Sequence, residues 1–214
     1  MALAAAVFDL DGTLVDSLDD LAASVGEVLR ALGLRPVSRA EVRRFVGEGA
    51  RSLVARSLAA AGSDVDVDAV MPRWQGVYAA HLLDRTRLYD GIAEVLAAAP
   101  KACGVLTNKP GAPARAIVHG LGLAARFSSV LGGDDAPKKP DPAGLLALCH
   151  SMDAAPAATA LIGDSPLDVA TARAAGTVAI AVAWGFTDET LLAAAGPDYL
   201  CRTPAELAAL LRRL

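Results

Sequence analysis

FDLDGTLVDS, residues 8–17, closes an apolar run and then crowds Asp9, Asp11 and Asp16 ahead of a helical pattern. Just before it, LAAAVFDL reads as a buried strand. Just after it, SLDDLAASVGEVLRALG sets Leu18, Leu21, Val25, Val28, Leu29 and Leu32 on one helical face, with Gly33 as the stop. The helical texture then persists. Ser38 and Glu41 have the spacing of a capping box, GARSLVARSLAAAG makes a further helix, and VDAVMPRWQGVYAAHLLDR carries apolar residues at helical intervals. No convincing strand falls between residues 17 and 86.

After LYDG the pattern changes to short β-like runs alternating with helices. ACGVLTN precedes APARAIVHGLGL, FSSVLGG precedes DPAGLLALCHSM, ATALIGDS precedes PLDVATARAAG, and TVAIAVAWG precedes TDETLLAAAG. Such alternation predicts a parallel sheet covered by helices on both faces. The first strand belongs with the later ones, so the helical block between them is an insertion. The expected architecture is a discontinuous Rossmann-like α/β core of three α/β/α layers, residues 1–16 and 87–214, with an all-helical cap at residues 17–86.

Bulk properties narrow the function classes. A chain of 214 residues buries a sizeable core without disulfides. A net charge of −4 with scattered Lys and Arg offers no track for a nucleic acid. The three cysteines, Cys103, Cys149 and Cys201, lack C-x-x-C spacing and read as plain thiols of a reducing compartment. MALAAAVFDLD has no basic n-region and fits a secretory signal poorly, and no apolar run approaches the ~20 residues of a membrane span. A cytoplasmic protein without nucleic-acid or membrane partners is the expectation; the oligomeric state is left open.

In an open parallel sheet, ligands gather beyond the carboxyl ends of the strands. Four groups fall there: Asp9 with Asp11, Thr107 with Asn108, Lys139 in DDAPKKPDP, and Asp164 with Asp168 in LIGDSPLD. Each alone also reads as a helix cap or loop residue, as Asp16, Ser17 and Asp141 do. Together they set four carboxylates against one ammonium at one rim. Like charges that close raise one another's pKa or need a cation between them. Hard oxygen donors select Mg2+ over zinc.

FDLDGTLVDS, the TN pair, the Lys of KKPDP and GDSPLD, in that order, resemble the four motifs of the haloacid dehalogenase superfamily of phosphotransferases over nearly the whole chain. TNKP, GGDDAPKKPDPAGLL and FVGEGARSLV are most similar to phosphoglycolate phosphatases. LYDG departs from the Tyr-Pro-Gly usual at the cap's exit. The resemblance implies an Mg2+-dependent phosphatase of a small phosphate monoester, 2-phosphoglycolate first, acting through an aspartyl-phosphate. Asp9 would be the nucleophile and Asp11 the acid and then the base. Thr107, Asn108 and Lys139 would hold the phosphoryl group. Asp9, Asp11 (through its carbonyl) and Asp164 would bind the metal, with Asp168 orienting them. Glu48, at the tip of the FVGEG turn, would reach into the site, and Arg43, Arg51 and Lys109 are candidate partners for a substrate carboxylate. Trp74 and Tyr78 read as cap packing. The alternatives are a phosphomutase or sugar-phosphate phosphatase of similar build and, more remotely, a phospho-receiver module.

Overall fold

Strand β1 (Ala5–Phe8) is fully buried and lies at the centre of the molecule. In the computed structural model, which describes residues 2–214, the chain leaves β1 through β2 (Val15–Asp16) into four helices: α1 (Leu18–Ala31), α2 (Arg39–Phe45), α3 (Ala50–Ala60) and α4 (Val67–Ala80). It returns through β3 (Arg87–Leu88), α5 (Ile92–Ala98), β4 (Ala102–Leu106), α6 (Gly111–Gly120), β5 (Ser129–Leu131) and α7 (Ala143–Ser151). It then runs through β6 (Thr159–Gly163), α8 (Pro166–Ala175), β7 (Val178–Val182), α9 (Glu189–Ala194), β8 (Tyr199–Cys201) and α10 (Pro204–Leu211).

Six strands pair in parallel in the order β5-β4-β1-β6-β7-β8. Because strand side chains alternate between faces, each strand feeds two cores. Ala6 and Phe8 of β1 join Val105, Ile162 and Ile180 beneath α5, α6 and α10. Val7 joins Leu106, Leu161 and Ala181 beneath α7, α8 and α9. The three-layer α/β/α arrangement expected from the alternating texture is present.

Helices α1 to α4 bury a third apolar cluster of their own, built on Leu21, Val25, Val42, Leu53, Val70 and Trp74. Ser38 and Glu41 form the full capping box at the start of α2. Buried Asp20, in the first turn of α1, accepts hydrogen bonds from the backbone N–H groups of Arg85 and Thr86 and from the Thr86 hydroxyl, at 2.7–3.0 Å. It thereby fastens the end of the helical block to its beginning. The chain enters and leaves the block side by side, since β2 and β3 pair antiparallel with Val15 opposite Leu88 and Asp16 opposite Arg87. Two-residue strands give no readable periodicity, and the sequence does not announce this ribbon. Among the described residues, no helix is long and apolar enough to cross a membrane.

Candidate active site

The carboxyl end of β1 delivers Asp9 to the rim, where its Oδ1 accepts the Leu10 N–H at 2.7 Å and lies 3.0 Å from Lys139 Nζ. The chain must then turn sharply under a neighbour. Gly12 has φ +84°, and a Cβ there would stand 2.3 Å from Asp164 Oδ2, so only glycine fits without displacing that carboxylate. A Cβ at Gly185, in the loop after β7, would stand as close to the same oxygen.

Asp164 follows β6. Its Oδ1 accepts from the Thr13 hydroxyl at 3.2 Å and its Oδ2 from the Phe186 N–H at 2.7 Å. Ser165 then caps α8, with Asp168 completing the box at its third position. Asp168 uses its other oxygen to accept from Lys139 Nζ at 2.5 Å. One buried ammonium thus bridges Asp9 and Asp168.

Oxygens of Asp9, Asp164 and Asp168 lie within 4.8 Å of one another, and all three residues are buried. Burial, reinforced by Asp168 and opposed by Lys139, pushes the Asp9 carboxyl up to about 6. Burial, together with the charges of Asp9 and Asp168, pushes Asp164 up to about 8. Burial pulls the Lys139 ammonium down, but Asp168 and Asp9 outweigh it and the net shift is upward. A buried carboxylate that resists ionising beside two others is a place where a hard cation relieves the repulsion. The donor set therefore fits a divalent metal.

Buried Thr107 and Asn108 follow β4. Asn108 Oδ1 accepts the Lys139 N–H at 2.8 Å, while its Nδ2 donates to the carbonyls of Lys139, at 3.2 Å, and Gly47, at 3.0 Å. The Asn108 side chain is therefore a clamp between the lysine loop and the tip of the helical block. The strand-end position of Asn108 is legible in the sequence, whereas the clamp depends on partners 31 and 61 positions away. Thr107 Oγ1 accepts the Lys109 N–H at 3.3 Å.

The Asp11 side chain lines the same cavity but finds its partners outside the cluster of Asp9, Asp164 and Asp168. It accepts from the Ser17 hydroxyl at 2.5 Å and from Lys109 Nζ at 3.1 and 3.0 Å. Ser17, expected as a plain cap, makes no side-chain cap bond, because its hydroxyl is committed to Asp11. Lys109 Nζ also donates to the Tyr78 hydroxyl at 2.7 Å. Burial pushes that phenol up to about 12. The sequence singles out Asp11, Lys109 and Tyr78 one by one, with Lys109 as a candidate partner for a substrate carboxylate, but gives no sign that the three meet.

The structure does not bring Glu48 to this centre. Its carboxylate pairs with Arg56 at 2.5 Å and accepts from Ser52 at 3.3 Å, on an exposed face of the helical block. The glycines on either side, Gly47 and Gly49, line the central cavity instead. Arg51 likewise faces out, doubly hydrogen-bonded to Asp68 at 2.8 and 2.9 Å. Arg43 spends its guanidinium on the carbonyls of Phe186 and Gly185, both at 2.9 Å.

A cavity of about 830 Å³ opens over Asp9, Asp11, Thr107, Asn108 and Asp164. Its far wall is apolar, with Leu53, Trp74, Tyr78, Leu82, Phe186 and Leu191 among its lining. Trp74 and Tyr78 stack at 5.1 Å between ring centroids, so these packing residues of the helical block also form a wall of the site. Trp74 Nε1 is buried without a hydrogen-bond partner.

Carboxylates, an ammonium and a metal-competent cluster thus meet at the strand ends, beside a helical insertion after the first strand. The family model described as "Haloacid dehalogenase-like hydrolase" matches residues 6–182, and the chain belongs to that family. Curated relatives that it resembles include phosphatases. It is 43% identical over 196 residues to a phosphoglycolate phosphatase of Rhodospirillum rubrum, covering 86% of this chain and 81% of that one. It is 37% identical over 218 residues to an N-acetylmuramic acid 6-phosphate phosphatase of Pseudomonas aeruginosa, covering 100% and 96%. A crystal structure titled as a predicted phosphoglycolate phosphatase from Haemophilus somnus superimposes with a TM-score of 0.90 at 29% identity, covering 97% of both chains. The chain is thus an enzyme, a hydrolase of the phosphatase type.

Proposed function

We propose that the protein is a Mg2+-dependent phosphatase of a small phosphate monoester, with 2-phosphoglycolate as substrate. The observation that carries this reading is the buried Asp9 carboxylate, 3.0 Å from Lys139 Nζ, on the floor of a cavity. It is placed to attack phosphorus while an ammonium balances the charge of the incoming group.

In the first half-reaction an Asp9 oxygen bonds to phosphorus, the ester P–O bond breaks, and Asp11 gives its proton to the departing alcohol oxygen. In the second, a water oxygen bonds to phosphorus, its proton passes to Asp11, and the Asp9–phosphorus bond breaks to release inorganic phosphate. Thr107, the backbone near Asn108 and Lys139 hold phosphoryl oxygens. Asp9, Asp164 and the main-chain carbonyl of Asp11 would hold the metal, and Asp168 would steady this set through Lys139 and Ser165. When bound, Mg2+ neutralises charge on the phosphoryl oxygens. Residues 17–86 serve as a lid over a core made of residues 1–16 and 87–214, which keeps bulk water from the acyl phosphate. The enzyme works in the cytoplasm on a small molecule and takes neither nucleic acid nor membrane as partner.

Asp9→Asn is expected to lower phosphate release from phosphoglycolate and from 4-nitrophenyl phosphate by about 10³-fold or more, with unchanged circular dichroism. Undiminished turnover would refute the assignment.

The cavity supports a second reading. A volume of about 830 Å³ with an apolar wall is near the top of the ~300–1,000 Å³ that drug-sized ligands occupy, far more than a two-carbon acid requires. A sugar phosphate would use it, as the name of the P. aeruginosa relative suggests for that enzyme. Comparing kcat/KM for phosphoglycolate with that for hexose and amino-sugar phosphates decides between the two.

A further inference from the structure

We infer that Lys109 is a positioning residue that holds Asp11 in line for proton transfer and ties that alignment to the seating of the helical block through Tyr78. The inference rests on the reading of Asp11 as acid and base.

Lys109 follows β4, Asp11 follows β1, and Tyr78 belongs to α4 of the insertion. Three separate segments therefore meet at one nitrogen. A lysine ammonium has three N–H donors, and Nζ has three acceptors in range: Asp11 Oδ1 at 3.1 Å, Asp11 Oδ2 at 3.0 Å and the Tyr78 oxygen at 2.7 Å. The Lys109 side chain is only 4% exposed. A buried ammonium is retained where its partners are fixed, because removing one of them leaves a charge without solvation. Gripping both oxygens of Asp11 fixes the plane of its carboxyl group, and the Ser17 hydroxyl donates to Oδ1 of the same group at 2.5 Å.

The geometry also bears on the alternative role for Lys109, as partner of a substrate carboxylate. With its donors engaged by Asp11 and Tyr78, the ammonium has none left for a ligand. Tyr78 moves with the insertion, whereas Asp11 and Lys109 stay with the sheet. When the insertion lifts, the ammonium loses its shortest contact and much of its cover, and the carboxyl group it steadied is free to rotate. Proton transfer is thereby coupled to closure without any residue of the insertion touching the transferred proton.

The test compares leaving groups. An alkyl phosphate such as phosphoglycolate needs a proton on its departing oxygen, whereas 4-nitrophenolate leaves without one. For Lys109→Met, kcat with phosphoglycolate is expected to fall about 10–100-fold with KM nearly unchanged. With 4-nitrophenyl phosphate the first step should be spared and the second slowed, so a pre-steady-state burst of nitrophenolate should appear. Tyr78→Phe, which keeps the ring and the ammonium–carboxylate pair, should move both readouts the same way by a smaller factor, and it serves if Lys109→Met does not fold. A rise in KM for phosphoglycolate alone would make Lys109 a substrate contact and overturn the proposal. Equal losses on both substrates without a burst would make it a structural residue and overturn it too. Asp11→Asn, measured in parallel, separates the two levels. If it lacks the leaving-group dependence, the acid and base reading of Asp11 fails; if it has it and Lys109→Met does not, only the role of Lys109 fails.

Discussion

Lys139 Nζ lies 3.0 Å from Asp9 Oδ1, although Lys139 comes from the loop after β5 and Asp9 from the end of β1, with β4 between those strands in the sheet. The lysine crosses beneath that intervening strand end because Asn108, which follows β4, grips its backbone on both sides. Three buried carboxylates, Asp9, Asp164 and Asp168, then share that one positive charge.

Removing that charge should be costly. Lys139→Met is expected to destabilise the metal-free protein by roughly 3–5 kcal/mol, the usual consequence of stripping one partner from a buried ion pair. Urea denaturation in EDTA reads this directly. A loss below about 1 kcal/mol, the range of exposed pairs, would mean that the ammonium does not hold the acids together.

The acid cluster also dictates a pH dependence. Asp9 and Asp164 sit at about 6 and about 8 in the folded chain, against 3.8 for an ordinary aspartate. Between about pH 4 and pH 8 the folded state therefore binds protons that the unfolded state has released, and stability falls as pH rises through that window. In EDTA the Tm should be lower at about pH 8 than at about pH 5, and Asp164→Asn should flatten the difference. Mg2+ should raise the Tm more at the higher pH, where the carboxylates are ionised and bind it. A Tm shift with Mg2+ that is the same at both pH values would contradict the placement of the metal among these groups.

Gly12→Ala tests the close approach of the first turn to Asp164. With φ +84° and the new methyl 2.3 Å from Asp164 Oδ2, the substitution must shift the carboxylate or the turn. A weaker Mg2+ dependence curve, displaced about tenfold or more in metal concentration, is expected in activity titrations, and the far-ultraviolet spectrum should stay the same.

Asp20 bears on the insertion rather than the chemistry. Its carboxylate is the acceptor for two backbone N–H groups and one hydroxyl at the far end of the block. Asp20→Ala should cost about 2–4 kcal/mol. Hydrogen exchange should show the amides of Arg85 and Thr86 losing protection first; an unchanged pattern there would mean that other contacts fasten the end of the block.

Much of this was legible in the chain because the relevant signals are local. The apolar run before Asp9, the alternation after residue 87 and the capping box at Ser38 each lie within a few residues, and strand-end position alone nominates Asp9, Thr107, Lys139 and Asp164. What stayed hidden depends on side-chain direction and on partners far along the chain. The turn holding Glu48 sits at the cavity, yet its carboxylate finds Arg56 eight residues on. Ser17 looks like any cap until folding puts it against Asp11. Lys109 looks like a loop lysine until Tyr78, 31 positions earlier, closes over it.

The β2–β3 ribbon has a consequence for how such a protein can diversify. Both crossings into the helical block run through one narrow antiparallel pair, and only Val15–Leu88 and Asp16–Arg87 define it. On the proposed lid reading, a module entered and left by two adjacent threads would tilt without disturbing the register of the six-stranded sheet, once Arg43, Gly47 and Tyr78 released their partners in the core. For the same reason it can be replaced wholesale: the seam already exists, and a graft cut there would hand the same acidic floor a different roof.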